Sequence, residues 1–80
     1  MQKEEFLKKL DNPTEEQIKR IDKIFIKKTV TVEDITIITS WSRYIATKIV
    51  KKIKNDNPSN IGLSKTTITL SQFLNVYETL

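Results

Sequence analysis

Arg43, Lys48, Lys51, Lys52 and Lys54 lie within twelve consecutive residues, 43–54, that contain no Asp or Glu. Cations without counter-charges do one kind of chemistry well, which is to hold polyanions such as phosphates through charge-assisted hydrogen bonds. Hydroxyl groups stand among and beside them at Ser42, Tyr44 and Thr47, and again downstream at Thr66 next to Lys65. Elsewhere the signs are mixed. Residues 1–30 hold eight basic and six acidic side chains, and the whole chain of 80 residues carries fourteen against ten, for a net charge of +4. Covalent chemistry has little to work with. There is no Cys and no His, so thiol nucleophiles, imidazole acid–base catalysis and the usual zinc sites are excluded, and a single Gly leaves no phosphate-cradling loop. Glu15, Glu16, Glu33 and Asp34 sit where first helical turns are expected, which explains them as capping and dipole residues. The expectation is a binding protein with no enzymatic activity, no cofactor and no metal.

The elements that must position these groups follow from periodicity and punctuation. Phe6, Leu7 and Leu10 share a helical face, predicting a short helix over 3–10 that stops before Asp11-Asn12-Pro13, because a residue preceding proline avoids the helical region. Thr14-Glu15-Glu16-Gln17 is a capping box opening a helix to about Lys27, with Ile18, Ile21, Ile24 and Phe25 as its apolar stripe. Thr29-Val30-Thr31 is β-branched throughout and reads as a short extended piece. Thr31-Val32-Glu33-Asp34 then repeats the cap pattern and starts a helix of about seven residues, with Ile35 and Ile38 facing inward. Thr39-Ser40-Trp41 breaks it, and Ser42 caps the next helix, from Arg43 to Lys54 or Asn55. Asn55 to Asn60 is a run of turn formers around Pro58. Ile61-Gly62-Leu63 and Thr67-Ile68-Thr69 read as a hairpin around Ser64-Lys65-Thr66, and Thr69 or Ser71 starts a last helix with Phe73, Val76, Tyr77 and Leu80 as its stripe.

The chain is therefore expected to be one compact domain, mostly α with a small β-hairpin: an N-terminal helical extension over 1–28 and a winged helix-turn-helix over 29–80. In that arrangement the second helix of the pair enters the major groove of DNA and the hairpin tip touches the backbone. At about 100° per residue, Tyr44, Thr47, Lys48, Lys51 and Asn55 lie within about 60° of one direction on the 43–54 helix. On the same wheel Ile45, Ala46, Ile49, Val50 and Ile53 make a dry opposite face. The expected DNA-binding set is Ser42, Arg43, Tyr44, Thr47, Lys48, Lys51, Lys52, Lys54, Lys65 and Thr66. Arg43 and the groove-facing lysines suit guanine O6 and N7, Thr47 suits a base or a thymine methyl, and Lys52, Lys54 and Lys65 suit phosphates. Trp41 is assigned to the core between the paired helices, and Phe73 and Tyr77 are structural. No apolar run is long enough to span a bilayer, and the start of the chain is mixed in charge, so the expectation is a soluble cytoplasmic protein with no membrane partner.

Thr29 to Ile35, Thr39 to Ala46, Ile49 to Ile53 and Thr67 to Phe73 together resemble the small excisionase-type winged-helix proteins of phages, plasmids and integrative elements, relatives of the MerR-type DNA-binding domain. The shared text is a strand leading into a "TVEE"-like cap, a Ser-Arg start to the recognition helix, and a wing that runs into a closing helix through "I-x-x-x-x-F". The sequence departs from the pattern at Ser40, where a turn glycine is common, and in its first 28 residues, which the minimal family lacks. The resemblance implies double-stranded DNA as partner and a role in excision directionality, transcription regulation, or binding an origin of transfer as a conjugation accessory, with a recombinase or relaxase as further partner. Apolar surface on the first two helices suggests self-association on DNA. The competing reading is a phage or plasmid protein that binds a host protein through Ile18, Ile21 and Phe25, with the lysines serving solubility.

Overall fold

Hydroxyl caps set the start of most elements. The Thr14 hydroxyl accepts the Gln17 amide N–H at 3.1 Å while the Gln17 side chain accepts the Thr14 N–H at 2.8 Å, and Thr31 with Asp34 makes the same exchange at 3.1 and 2.9 Å. Ser42 accepts the Ile45 N–H at 3.2 Å, and Thr69 accepts that of Gln72 at 3.2 Å. The computed structural model describes residues 1–57 and 63–79. Over these the chain runs α1 (Lys3–Lys9), α2 (Glu15–Lys27), β1 (Thr29–Thr31), α3 (Val32–Thr39), α4 (Arg43–Asp56), β2 (Thr67–Thr69) and α5 (Leu70–Thr79). The fold is mostly helical with one small antiparallel ribbon, and α4 continues past Asn55 to take in an exposed acid, Asp56.

The ribbon differs from the hairpin expected over 61–69. β2 pairs antiparallel with β1, in the register Thr29 with Thr69, Val30 with Ile68 and Thr31 with Thr67. Leu63 is a bend, not a strand residue, and Ile61 and Gly62, which the expected hairpin also used, lie outside the described residues, as do Pro58, Ser59, Asn60 and Leu80. The physical reason is side-chain matching. Both strands read Thr-aliphatic-Thr, so pairing them puts Val30 and Ile68 opposite each other and fully buried, with threonines flanking them on the other face. Backbone bonds extend the ribbon at both ends, from Val32 N–H to the Thr66 carbonyl at 3.1 Å and from Leu70 N–H to the Lys28 carbonyl at 2.9 Å.

A single hydrophobic core joins every element: Phe6 from α1, Ile21 and Ile24 from α2, Val30, Val32, Ile35 and Ile38 from β1 and α3, Ala46, Val50 and Ile53 from α4, Ile68 from β2, and Leu70, Phe73 and Leu74 from α5. The N-terminal helices are part of this core. Phe6 is fully buried, with ring centroids 6.4 Å from Phe25, 6.3 Å from Phe73 and 4.9 Å from Tyr77, spacings at which aromatic rings attract beyond their buried area. The apolar stripe expected on α2 is correct for Ile21 and Ile24, while Phe25 is half-buried and Ile18 is 39% exposed. Trp41 is half-buried against the core edge, 6.1 Å from Tyr77, so it covers the joint of the paired helices and does not plug their interior.

The connection between α3 and α4 is three residues, Ser40 to Ser42. Ser40 has φ 63° and ψ 11°, the left-handed region, which closes α3 sharply enough to start α4 three residues later. The Trp41 N–H donates to the Thr39 hydroxyl at 3.1 Å, satisfying the turn locally. Glycine adopts this conformation without a Cβ clash, which is the physical reason a turn glycine suits this place and Ser40 strains it.

Candidate functional site

The α3–turn–α4 unit carries the residues singled out above. Its first helix is fixed by a charge arrangement the sequence does not announce. Asp34 has a buried side chain, and its carboxylate accepts from Arg20 Nη1 at 3.0 Å, Lys27 Nζ at 3.0 Å and the Thr31 N–H at 2.9 Å. Burial disfavours its ionised form, yet the Thr31 amide, Lys27 and Arg20 together outweigh that cost and hold the carboxyl below its ordinary value. Asp34 is thus both the partner of Thr31 in the capping box that starts α3 and the anchor by which α2 grips α3. Gln17 adds a second tie, its side-chain amide donating to the Ile37 carbonyl at 3.1 Å. Arg20 and Lys27 are seven residues apart and so lie on one face of α2, the only hint in the sequence that a carboxylate from elsewhere must meet them.

With α3 held, α4 packs through Ala46, Val50 and Ile53, all buried, and turns its other side out. Arg43, Tyr44, Lys48, Lys51 and Lys52 are exposed, Tyr44 to 71%. Thr47 and Lys54, which flank this side on the wheel, are half-buried. Ile45 departs from expectation. Assigned to the dry face, it is 46% exposed, because the packed stripe centres on Ala46, Val50 and Ile53, which places Ile45 about 105° from its middle. Lys48 Nζ lies 5.3 Å from the centroid of the Tyr44 ring, a cation–π approach that braces both side chains on the helix surface.

Among the described residues no carboxylate forms an ion pair with Arg43, Lys48, Lys51, Lys52, Lys54 or Lys65; the ion pairs present engage Lys3, Lys19, Arg20, Lys27 and the terminal amine. Lys52 stands on the rim of a groove between α4 and α5 that Ile49, Asp56, Gln72 and Val76 also line. Ser42 is exposed but its hydroxyl is engaged as the cap. Lys65 and Thr66 are exposed on a separate element, a turn closed by the Thr67 N–H on the Ser64 carbonyl at 3.1 Å and tied to the start of α3 through the Thr66 carbonyl. The structure therefore gathers Arg43, Tyr44, Lys48, Lys51 and Lys52 on one exposed side of α4, and keeps Lys65 and Thr66 on a hydrogen-bonded turn at the other end of α3 from Ser40.

Among the described residues no group of three or more Asp or Glu side chains converges as a metal site, and no helix is long and apolar enough to cross a membrane. The surface has shallow grooves lined by mixed side chains, such as the one along Glu15, Glu16, Lys19, Arg20 and Lys23 on α2. What the arrangement offers chemically is a helix face of cations, a phenol and an aliphatic side chain, groups that can hold an anion through charge-assisted hydrogen bonds. No family model, no curated protein and no solved structure matches this chain.

Proposed function

We propose that this chain is a sequence-specific double-stranded DNA-binding protein of a mobile element, acting by occupancy and architecture and without catalysis. The observation that carries the reading is the exposed side of α4: Arg43, Lys48, Lys51 and Lys52 face solvent without a paired carboxylate among the described residues, on the second helix of a tightly turned pair. An ordinary solvated helix mixes signs, and long cations left unpaired on a rigid face are what phosphate and guanine contacts use. In the winged helix-turn-helix reading, α3 and α4 are the paired helices, the β1–β2 ribbon is their base, and the Ser64–Thr67 turn stands where the tip of the expected 61–69 wing would be. α4 lies in the major groove and Lys65 meets a phosphate. The resemblance to excisionase-type proteins supports the same reading and adds the biological setting: excision directionality, transcription control or origin-of-transfer binding, beside a recombinase or relaxase.

Binding by more than one copy belongs to this reading. A single recognition helix contacts about 3 to 5 base pairs, too few to select a genomic site, so small readers multiply contacts by repetition or symmetry. The alternative of a host-protein binder has less apolar surface to use, because Ile21 is buried and Phe25 half-buried, leaving Ile18 and Ile26 exposed on α2. The test is a salt titration of binding to duplexes from the DNA flanking the chain's own gene, with a footprint on the same DNA. A protein using four to six phosphates shows a log–log salt slope of about −4 to −5. A flat salt response, or no protected region, overturns the proposal.

A further inference from the structure

Ile45 is the one aliphatic side chain of α4 that stands exposed. It is the third residue of the helix, it is 46% exposed, and it is flanked one turn on by Lys48, which in turn reaches back over Tyr44. On the wheel Tyr44, Lys48 and Ile45 span about 100°, with the lysine between the other two. Scattered exposed isoleucines are ordinary, and Ile26, among Lys23, Lys27 and Lys28 near the end of α2, is exposed to 82%. Ile45 differs in standing in the first turn of α4, the end away from its one acid, beside exposed cations that form no ion pair among the described residues, a neighbourhood suited to an anion carrying apolar groups. Duplex DNA has one such group in the major groove, the thymine C5-methyl, and the N-terminal residues of a recognition helix are those that reach base edges.

We infer that Ile45 reads a thymine methyl, and that the preferred DNA site therefore carries a thymine at the position facing the start of α4, beside the base or phosphate that Lys48 contacts. The inference rests on the DNA-binding reading and refines it, naming the chemical group that gives α4 part of its sequence preference. Lysines alone would favour guanine or any phosphate; an aliphatic side chain has no hydrogen bond to offer and discriminates only by burying a methyl.

The test removes that methyl and nothing else. The full chain enriches binders from a pool of random duplexes, and each thymine of the enriched duplex is changed in turn to deoxyuridine, which keeps base pairing and every hydrogen-bonding edge. Binding of the parent and of Ile45→Ala is measured on the whole series, with thermal melts to show that both are folded. The expected result is at least one thymine whose replacement weakens the parent about fourfold, the worth of one buried methyl, and leaves Ile45→Ala unaffected. A parent insensitive to every replacement, or a sensitivity that Ile45→Ala retains in full, overturns the inference while the enriched duplex still upholds DNA binding. Failure to enrich any duplex removes the DNA-binding reading and this inference with it.

Discussion

Single residues divide here into those that build and those that present. Asp34 builds. A buried carboxylate holding two cations is worth most as an unbroken unit, and removing one member leaves the others without compensation. Because Arg20 and Lys27 remain partly in water, Asp34→Asn is expected to cost about 2 to 4 kcal/mol at neutral pH, near the lower end of buried-pair losses. The sign of its pH dependence follows from the lowered carboxyl. A group ionised more readily in the folded than in the unfolded chain stabilises above the ordinary carboxyl range, and that stability is lost as pH falls through the depressed value. Urea melts of parent and variant should therefore differ at pH 7 and converge in acid; an equal gap at both would mean that charge contributes nothing. Lys48 and Lys51 present. Lys48→Ala and Lys51→Ala are expected to weaken a specific duplex by about 1 to 3 kcal/mol, and random duplex by less. Equal losses on both would make them phosphate contacts only.

At the level of elements, the α3–α4 joint and the Ser64–Thr67 turn decide how the exposed face is offered. Ser40 holds a left-handed conformation that costs an L-residue about 1 to 2 kcal/mol, of which glycine would recover roughly half after its own entropy loss. Ser40→Gly is thus expected to raise stability by about 0.5 to 1 kcal/mol, read as a higher melting temperature, with DNA affinity unchanged. A drop in stability would show that the Ser40 side chain contributes to the turn. Lys65 stands on a turn tied by a backbone bond to the start of α3, so a contact made there orders the lysine side chain but little backbone. Lys65→Ala is expected to lower the salt slope by about one unit on all duplexes alike, because one phosphate fewer is neutralised and one counterion fewer released. An unchanged slope would take this turn off the DNA.

For the molecule as a whole, the first 28 residues are structure as much as extension. With Phe6 fully buried among Phe25, Phe73 and Tyr77, Phe6→Ala is expected to cost about 3 to 5 kcal/mol, a large share of what an 80-residue chain has. Ile26→Ala, on an exposed site of the neighbouring helix, should stay within about 0.5 kcal/mol. Deleting residues 1–12 should consequently abolish the cooperative melt; a shortened protein that melts like the parent would free α1 for a role in assembly. What the residue order determined by itself was local. Caps at Thr14, Thr31 and Ser42, the bounds of α2 and β1, the tight joint after α3 and the acid-free stretch on α4 all follow from interactions a few residues apart, which short-range sterics and hydrogen bonding dictate. Tertiary structure decided the rest. β2 found β1, thirty-odd residues earlier in the chain, because burying Ile68 against Val30 needs a partner brought across the core. Arg20, Lys27 and Asp34 met only because α2 lies on α3, and Ile45 was left in water because packing centred α4 on Ala46, Val50 and Ile53. Each of these turns on which surface has a neighbour, and burial of that kind is a property of the assembled core and not of any local stretch of chain.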